Sequence, residues 1–138
     1  MTKQAPSGKS KGWTPIKLAA DVPTPVGAYS PAARAGDFLY VSGQVPRDPR
    51  SGATIGSDVV EQTRQVVSNL ESVLAAAGAT LSDVVSVTVY LADPNLWTAF
   101  NDTYRELMPQ PYPTRTAVGA SLRGFLVEIN AVAYVGGR

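Results

Sequence analysis

The sequence predicts an α+β fold in which two helices cover one face of a mixed β-sheet. Two stretches, near residues 58–78 and 95–108, repeat apolar residues at helical spacing. Several short runs rich in β-branched residues, bounded by Gly, Pro and Asp, have the composition of strands. The chain has 138 residues, 44% of them hydrophobic, which is enough for one buried core. Two helices on one sheet give a two-layer arrangement.

The N-terminal residues predict a tail followed by a single domain. Residues 1–13 are polar and contain Lys, Gly and Ser but no apolar stretch of a secretory signal, so we expect a mobile tail. Residues 14–138 show no internal linker or repeat and are expected to form one domain. That domain is expected to begin with a short strand at Thr14–Leu18.

A β-hairpin is expected next. The segments Ala32–Ala35 and Phe38–Ser42 have strand composition and are separated by the turn residues Gly36 and Asp37. The Pro-, Gly- and Asp-rich stretch 46–56 then predicts a loop.

The first helix has a start signal and a stop signal. Asp58 followed by Glu61 predicts a capping box, and Gly78 predicts the C-terminal end. Between them lies an apolar face at positions 59, 60, 66, 67, 70, 73, 74 and 77. The run Val84–Leu91 then predicts a buried strand.

The second helix is expected to be capped by Asn95 and stopped by prolines at 109, 111 and 113. Its apolar stripe is Leu96, Trp97, Phe100, Tyr104, Leu107 and Met108. Two strands, Thr114–Ala120 and Phe125–Tyr134, are expected to complete the sheet. The last of them, "FLVEINAVAYV", is apolar on both faces except at Glu128 and Asn130. Since the helices cover only one face, we expect an oligomer with the sheets turned inward.

Composition limits the chemistry. The chain has no His and no Cys, which excludes Ser-His-Asp catalysis, thiol nucleophiles and zinc thiolate sites. The net charge is +1, so no basic field for nucleic acid or a membrane surface is expected. No run is long enough to span a bilayer, and we expect a cytoplasmic protein without metal or cofactor. Catalysis would depend on Arg, Glu, Asp, Tyr, Ser, Thr, backbone groups and water.

Two charged residues stand in strand-like, apolar surroundings. Arg115, in "PYPTRTAV", follows a proline-rich turn and has no acidic neighbour in sequence. Such a guanidinium either pairs with a carboxylate elsewhere or binds a planar carboxylate ligand through two hydrogen bonds. Glu128, in "LVEIN", is either solvent-facing, an ion-pair partner of Arg115, or a carboxylate that orients or deprotonates water.

Three further residues are weaker candidates. Tyr29 lies in "VGAYSPA" and could pack in a loop or form one wall of a pocket. Gly43, in "VSGQVP", allows close backbone approach to a ligand, and Asn101 is a polar residue inside a helix. From their residue types alone, Gly43 and Asn101 are more simply explained by structural roles.

Several separated stretches together resemble the reactive intermediate deaminase family, also called RidA or YjgF and labelled L-PSP endoribonuclease. They are "GAYSPAARAGDFLYVSGQVPRDPRSG", "EQTRQVVSNLESVLAAAGATLSDVVSVTVYLAD", "FNDTYRELM", "PTRTAV" and "VEINAVAYV". The resemblance covers about residues 14–135.

The resemblance implies a chorismate-mutase-like fold, a homotrimer with its sheets packed inward, and sites between subunits. It implies cofactor-free hydrolysis of reactive enamines and imines, such as 2-iminopropanoate, to 2-keto acids and ammonia. Arg115 would bind the substrate carboxylate, Glu128 would position the attacking water, and Tyr29 would reach in from a neighbouring chain. Gly43 and Asn101 match the family's "SGQ" and helix asparagine and would complete the substrate-binding set.

Three departures from the family pattern are present. Ala117 stands where many of its deaminases have a cysteine, the loop 116–127 is slightly shorter, and the tail 1–13 is extra. A non-catalytic small-carboxylate binder on the same scaffold is therefore an alternative. Ribonuclease activity ranks last, because the chain lacks His and a basic groove for RNA.

Overall fold

The computed structural model describes residues 11–19, 22, 25 and 27–138. Most of the predicted tail, residues 1–10, lies outside the described residues. The elements of the described part are strands β1 (Thr14–Pro15), β2 (Ala32–Ala35), β3 (Phe38–Gln44), β4 (Val84–Leu91), β5 (Thr114–Gly119) and β6 (Val127–Tyr134), and helices α1 (Val59–Ala76) and α2 (Trp97–Leu107).

The strands form one mixed sheet in the order β1-β2-β3-β6-β4-β5. Strands β4 and β5 are parallel, and the other neighbouring pairs are antiparallel. Helix α2 connects the parallel pair, as a crossover between parallel strands requires. Both helices pack on the same face of the sheet, which confirms the predicted two-layer α+β arrangement.

The predicted hairpin is present, and its strands differ slightly in length from expectation. Ala35 pairs with Phe38 across the turn, where Gly36 has a φ of 60°, a conformation that favours glycine. Strand β3 continues past Ser42 to Gln44 with an irregular register between Val41 and Gln44. Strand β1 is shorter than expected and stops at Pro15.

Helix α1 begins and ends near the predicted signals. The Asp58 carboxylate accepts the Glu61 N–H at 2.8 Å, as an N-cap should. A capping box also requires the Glu61 carboxylate to accept the Asp58 N–H. Here that carboxylate accepts the Ser57 N–H instead, at 2.9 Å. At the other end Gly78 has a φ of 75° and donates to the Ala75 carbonyl, which terminates the helix.

The predicted Asn95 cap of the second helix is wrong. A 3₁₀ turn at Pro94–Leu96 precedes α2, and Asp93 caps that turn by accepting the Asn95 N–H at 2.8 Å. Asn95 is therefore inside the turn, and α2 begins at Trp97. The final strand also begins later than expected, at Val127, since Phe125 closes a turn by donating its N–H to the Leu122 carbonyl at 3.3 Å.

The core lies between the helices and the sheet. Its least exposed side chains come from every layer of the fold: Leu39, Val66, Leu70, Leu74, Val89, Phe100, Val127 and Ile129. Alternate residues of β6, such as Val127 and Ile129, face this core, and the residues between them face away from the helices.

The opposite sheet surface, here called the open face, is uncovered in the single chain. It carries Phe38 and Tyr40 of β3, Thr88 and Tyr90 of β4, Val118 of β5, and Glu128, Asn130, Val132 and Tyr134 of β6. Phe38 and Tyr134 meet edge to face with centroids 5.5 Å apart, yet both remain substantially exposed. The uncovered apolar face expected from the sequence is thus present.

Neither helix of the described residues has both the length and the apolar character that crossing a membrane requires.

A salt bridge fastens the C-terminal segment to the turn before β4. Arg138 donates to both carboxylate oxygens of Asp83, at 2.6 and 2.7 Å, and the Asp83 carboxylate also accepts the Thr80 N–H. The Arg138 hydrogen bonds, followed by the Thr80 N–H, lower the pKa of Asp83 from 3.8 to about 2.

We expect this salt bridge to make stability depend on pH in the acid range. Because the pKa is lower in the folded state, the contribution is complete above about pH 4 and disappears as pH falls through about 2. Asp83→Asn should lower the free energy of unfolding at pH 7 by at most about 1 kcal/mol, because Arg138 is half-exposed and solvent screens the pair. Urea denaturation at pH 7, 4, 3 and 2 should show the two proteins converging.

The matched control is Asp102→Asn, whose carboxylate pairs with Arg105 at 3.0 Å on the exposed surface of α2. That change should have little effect at any pH. A constant difference between wild type and Asp83→Asn down to pH 2 would contradict the assignment.

Candidate active site

Arg115 is held on the helix side of the sheet. In the parallel β4–β5 register it lies opposite Val87, a core residue, so its side chain points toward α2. Its Nη1 donates to Oδ1 of Asn101 at 2.8 Å. Arg115 is half-buried. Asn101 of α2 and Arg115 of β5 come from elements that only the proline-rich turn after α2 separates.

Aromatic rings of the same helix also contact the guanidinium. The Arg115 Cζ lies 4.8 Å from the ring centroid of Trp97 and 4.8 Å from that of Tyr104. Cations over such ring faces are attracted electrostatically. None of the ion pairs among the described residues involves Arg115. Its positive charge is therefore held by a neutral amide and two rings and is not cancelled by a carboxylate within that part of the chain.

A cavity of about 370 Å³ opens beside the guanidinium. Its lining residues are Asn101, Tyr104, Arg105, Tyr112, Pro113 and Arg115. Burial raises the pKa of Tyr104, with the Arg115 charge acting in the opposite direction, so the phenol stays protonated at neutral pH. A half-buried cation beside a cavity is chemically suited to bind a small anion.

Glu128 lies elsewhere, on the open face. It is half-buried and pairs in register with Tyr90 of β4. Its carboxylate lies against Gly43, in the irregular segment of β3, where a Cβ atom would overlap a carboxylate oxygen of Glu128. Gly43 thus has a definite role, because the absence of its side chain leaves the space that the carboxylate occupies.

Gly43→Ala is therefore expected to displace the Glu128 side chain while leaving the fold intact. The atom it would strike is the far end of a flexible side chain, so a rotamer change removes the overlap. If Glu128 is the catalytic base of the imine hydrolysis that the family resemblance implies, kcat of that reaction should fall by roughly 10-fold or more. A base must lie within hydrogen-bond reach of the proton that it removes. Steady-state kinetics together with a melting curve would measure this.

The control for that prediction is Gly119→Ala in β5, where a Cβ would meet only ordinary contacts. An unchanged kcat in Gly43→Ala would show that the position of Glu128 is not critical.

Tyr29 is exposed in the loop before β2, with 57% of its surface accessible. The Ser42 hydroxyl donates to the carbonyl of the adjacent Ser30 at 2.6 Å, which fixes this loop beside the Gly43 segment. Strand β2 is separated from β5 by three strands, about 19 Å at normal strand spacing. Tyr29 is therefore remote from Arg115 within one chain.

The candidate residues thus form two separate groups in a single chain. One group is Arg115 with Asn101, and the other is Glu128 with Gly43. Arg115 lies opposite Val87 of β4, and Glu128 lies opposite Tyr90 of the same strand. Val87 and Tyr90 are three positions apart, and side chains alternate along a strand, so Arg115 and Glu128 are on opposite faces of the sheet. The ion pair between Arg115 and Glu128 considered from the sequence does not form within the chain.

Two contacts of Arg115 were not anticipated. The sequence pattern predicts Trp97 and Tyr104 only as members of the apolar stripe of the second helix. Their spacing relative to Asn101, four residues before and three after, places all three side chains on one helix face. That spacing was available in the sequence, whereas the position of Arg115 against this face depends on the β4–β5 register.

Comparison with known proteins agrees with these features. The endoribonuclease L-PSP family profile matches residues 19–135. A RutC family protein of Pyrococcus horikoshii is 44% identical over 116 residues, covering 83% of this chain and 92% of that protein. The 2-iminobutanoate/2-iminopropanoate deaminase of Capra hircus is 40% identical over 119 residues, covering 85% and 87%.

Among solved structures, E. coli TdcF with bound serine superimposes with a TM-score of 0.78 at 29% identity, covering 88% of this chain and 98% of that one. The match over nearly the whole solved chain supports the chorismate-mutase-like fold expected from the sequence. The chain belongs to the endoribonuclease L-PSP family, which is the RidA/YjgF family of reactive intermediate deaminases.

Proposed function

We propose that this protein hydrolyses reactive 2-imino acids, such as 2-iminopropanoate, to 2-keto acids and ammonia. The observation that carries the proposal is the Arg115 guanidinium, held by Asn101 beside a cavity without a carboxylate partner among the described residues. Every 2-imino acid has a planar carboxylate adjacent to the reacting carbon. The deaminase name of the goat relative supports the same reaction class.

The reaction needs positioning and one proton acceptor. Arg115 would bind the substrate carboxylate through two parallel hydrogen bonds, which fixes the neighbouring C=N carbon. Glu128 would accept a proton from water as the water oxygen bonds to that carbon, and would pass this proton to the imine nitrogen. The hydroxyl of the tetrahedral adduct would then give its proton, by way of Glu128, to the amine nitrogen. The C–N bond breaks as the C=O bond forms, and ammonia and the 2-keto acid are released. A well-placed general base contributes roughly 10²–10⁴-fold.

We also propose that the complete site forms between copies of the chain, in a homotrimer with the open faces inward. Arg115 and Glu128 lie on opposite faces of one sheet, so a single chain cannot direct both at one substrate. The exposed aromatic residues of the open face, Phe38, Tyr40 and Tyr134, supply the apolar surface that such an assembly would bury. Tyr29, remote from Arg115 in its own chain, would enter a neighbour's site.

The experiment supplies the imine directly. An amino-acid oxidase generates 2-iminopropanoate in the presence of semicarbazide, which traps free imine, and the protein should lower the trapped fraction by accelerating hydrolysis. Light scattering on the same sample should give three times the mass of one chain. Keto-acid formation no faster than in buffer would refute the deaminase. Pyruvate binding without turnover would assign the chain as a small-carboxylate binding protein.

A further inference from the structure

We propose that Trp97 and Tyr104 are positioning residues that hold the Arg115 guanidinium between two aromatic faces and present one of its N–H edges to the ligand. The identity of that ligand, a small carboxylate, rests on the proposed function. The contacts of Trp97 and Tyr104 with Arg115 are present in the unliganded chain, so their effect on Arg115 can be measured without any ligand.

The geometry follows from helix spacing. Trp97 and Tyr104 are seven residues apart on α2, two turns and about 10 Å along the axis. The Arg115 Cζ is nevertheless 4.8 Å from both ring centroids, so both rings contact the same guanidinium. Asn101, on the same helix face between the rings, accepts the hydrogen bond from Nη1.

The two rings are fixed by the core. Phe100 is fully buried and packs against both, with centroids 5.5 Å from Tyr104 and 6.1 Å from Trp97. Tyr104 itself is only 3% exposed, whereas Trp97 is 39% exposed. The two rings that contact Arg115 are called the aromatic clamp. Its Tyr104 ring is fixed in the core, whereas its Trp97 ring can be replaced without opening the core.

The arrangement leaves one side of the guanidinium available. Arginine has five N–H donors in one plane, and in the proposed arrangement the rings of Trp97 and Tyr104 cover the two faces of that plane. One Nη1 hydrogen is committed to Asn101. Nε and Nη2 make no hydrogen bond to the described residues. Their two parallel N–H groups match the two oxygens of a carboxylate. A guanidinium already held in this orientation loses less freedom when the ligand binds.

The direct test measures the motion of Arg115 in the free protein. The Nε–Hε signal of Arg115, identified by its loss in Arg115→Lys, should have a ¹⁵N order parameter of about 0.85, as for rigid backbone. In Trp97→Leu it should fall below about 0.6, the range of flexible groups, with an unchanged melting temperature. The matched control is Trp13→Leu, because Trp13 is equally exposed and contacts a different cation, Lys11. An unchanged Arg115 order parameter in Trp97→Leu would overturn the proposal.

The second test measures the consequence for binding. Trp97→Leu should weaken pyruvate binding and raise KM by roughly 2- to 30-fold, with kcat within about twofold, since cation–π contacts contribute about 0.5–2 kcal/mol. Trp97→Phe, which keeps a ring, should recover most of the loss. Trp13→Leu, the control of the first test, should bind pyruvate normally, because its ring contacts Lys11 and not Arg115.

The two proposals fail in different ways. A wild-type protein that neither binds pyruvate nor hydrolyses imine would refute the proposed function. The order parameters would still show whether the two rings hold Arg115. If the wild type is fully active, a flexible Arg115 guanidinium or a normal KM in the Trp97→Leu variant would refute the clamp alone.

Discussion

Arg115→Ala is expected to lower kcat/KM for 2-iminopropanoate by about 10²-fold or more. Each hydrogen bond between charged partners contributes about 1.5–3 kcal/mol, and the substitution removes two of them. The loss should appear both as weaker pyruvate binding and as slower turnover, because the carboxylate contact also orients the reacting carbon. Competition with semicarbazide and calorimetric titration of pyruvate would measure the two effects.

Arg115→Lys tests the geometry of the contact. Lysine keeps the charge but has no planar fork, so it should recover only a small part of the activity. The matched control is Arg64→Met, which removes an exposed arginine paired with Glu106 at 2.8 Å. Similar kinetics in Arg115→Ala and Arg64→Met would remove the basis of the proposed substrate site.

Much of the fold could be predicted from the sequence because local signals agreed with the packing. The Val84–Leu91 strand, the Ala32–Ala35 strand and the Gly78 helix end all coincide with the structure. The failures occurred where two local signals competed. Asp93 and Asn95 can both cap a helix, and Pro94 favours a turn that begins after Asp93, which decides between them.

The candidate residues could be chosen from the sequence, but their arrangement could not be predicted from it. Motifs identified Arg115 and Glu128, and alternation assigned a face only within each strand. Their relative orientation depends on the registers of β5 and β6 against β4, which sequence alone leaves open. The contact between Gly43 and the Glu128 carboxylate likewise depends on the irregular segment of β3, an irregularity with no clear sequence signature.

Glu128→Gln is expected to reduce kcat by roughly 10²–10⁴-fold with little change in pyruvate binding, since the amide has the same shape but cannot accept the proton. Glu106→Gln, an exposed carboxylate on α2, should have no effect on kcat and serves as the control. A Glu128→Gln protein with normal kcat would show that water is activated by another group.

The arrangement between copies gives a sharper result when Arg115→Ala and Glu128→Gln chains are mixed. If each site takes Arg115 from one chain and Glu128 from its neighbour, random assembly of equal amounts leaves about one quarter of the sites with both residues, since each is present on half of the chains. Two nearly inactive proteins, denatured together and refolded, should then regain about one quarter of wild-type activity. Refolding each variant separately controls for the procedure. Residues that act within one chain would give no recovery, because every chain in the mixture lacks one of them.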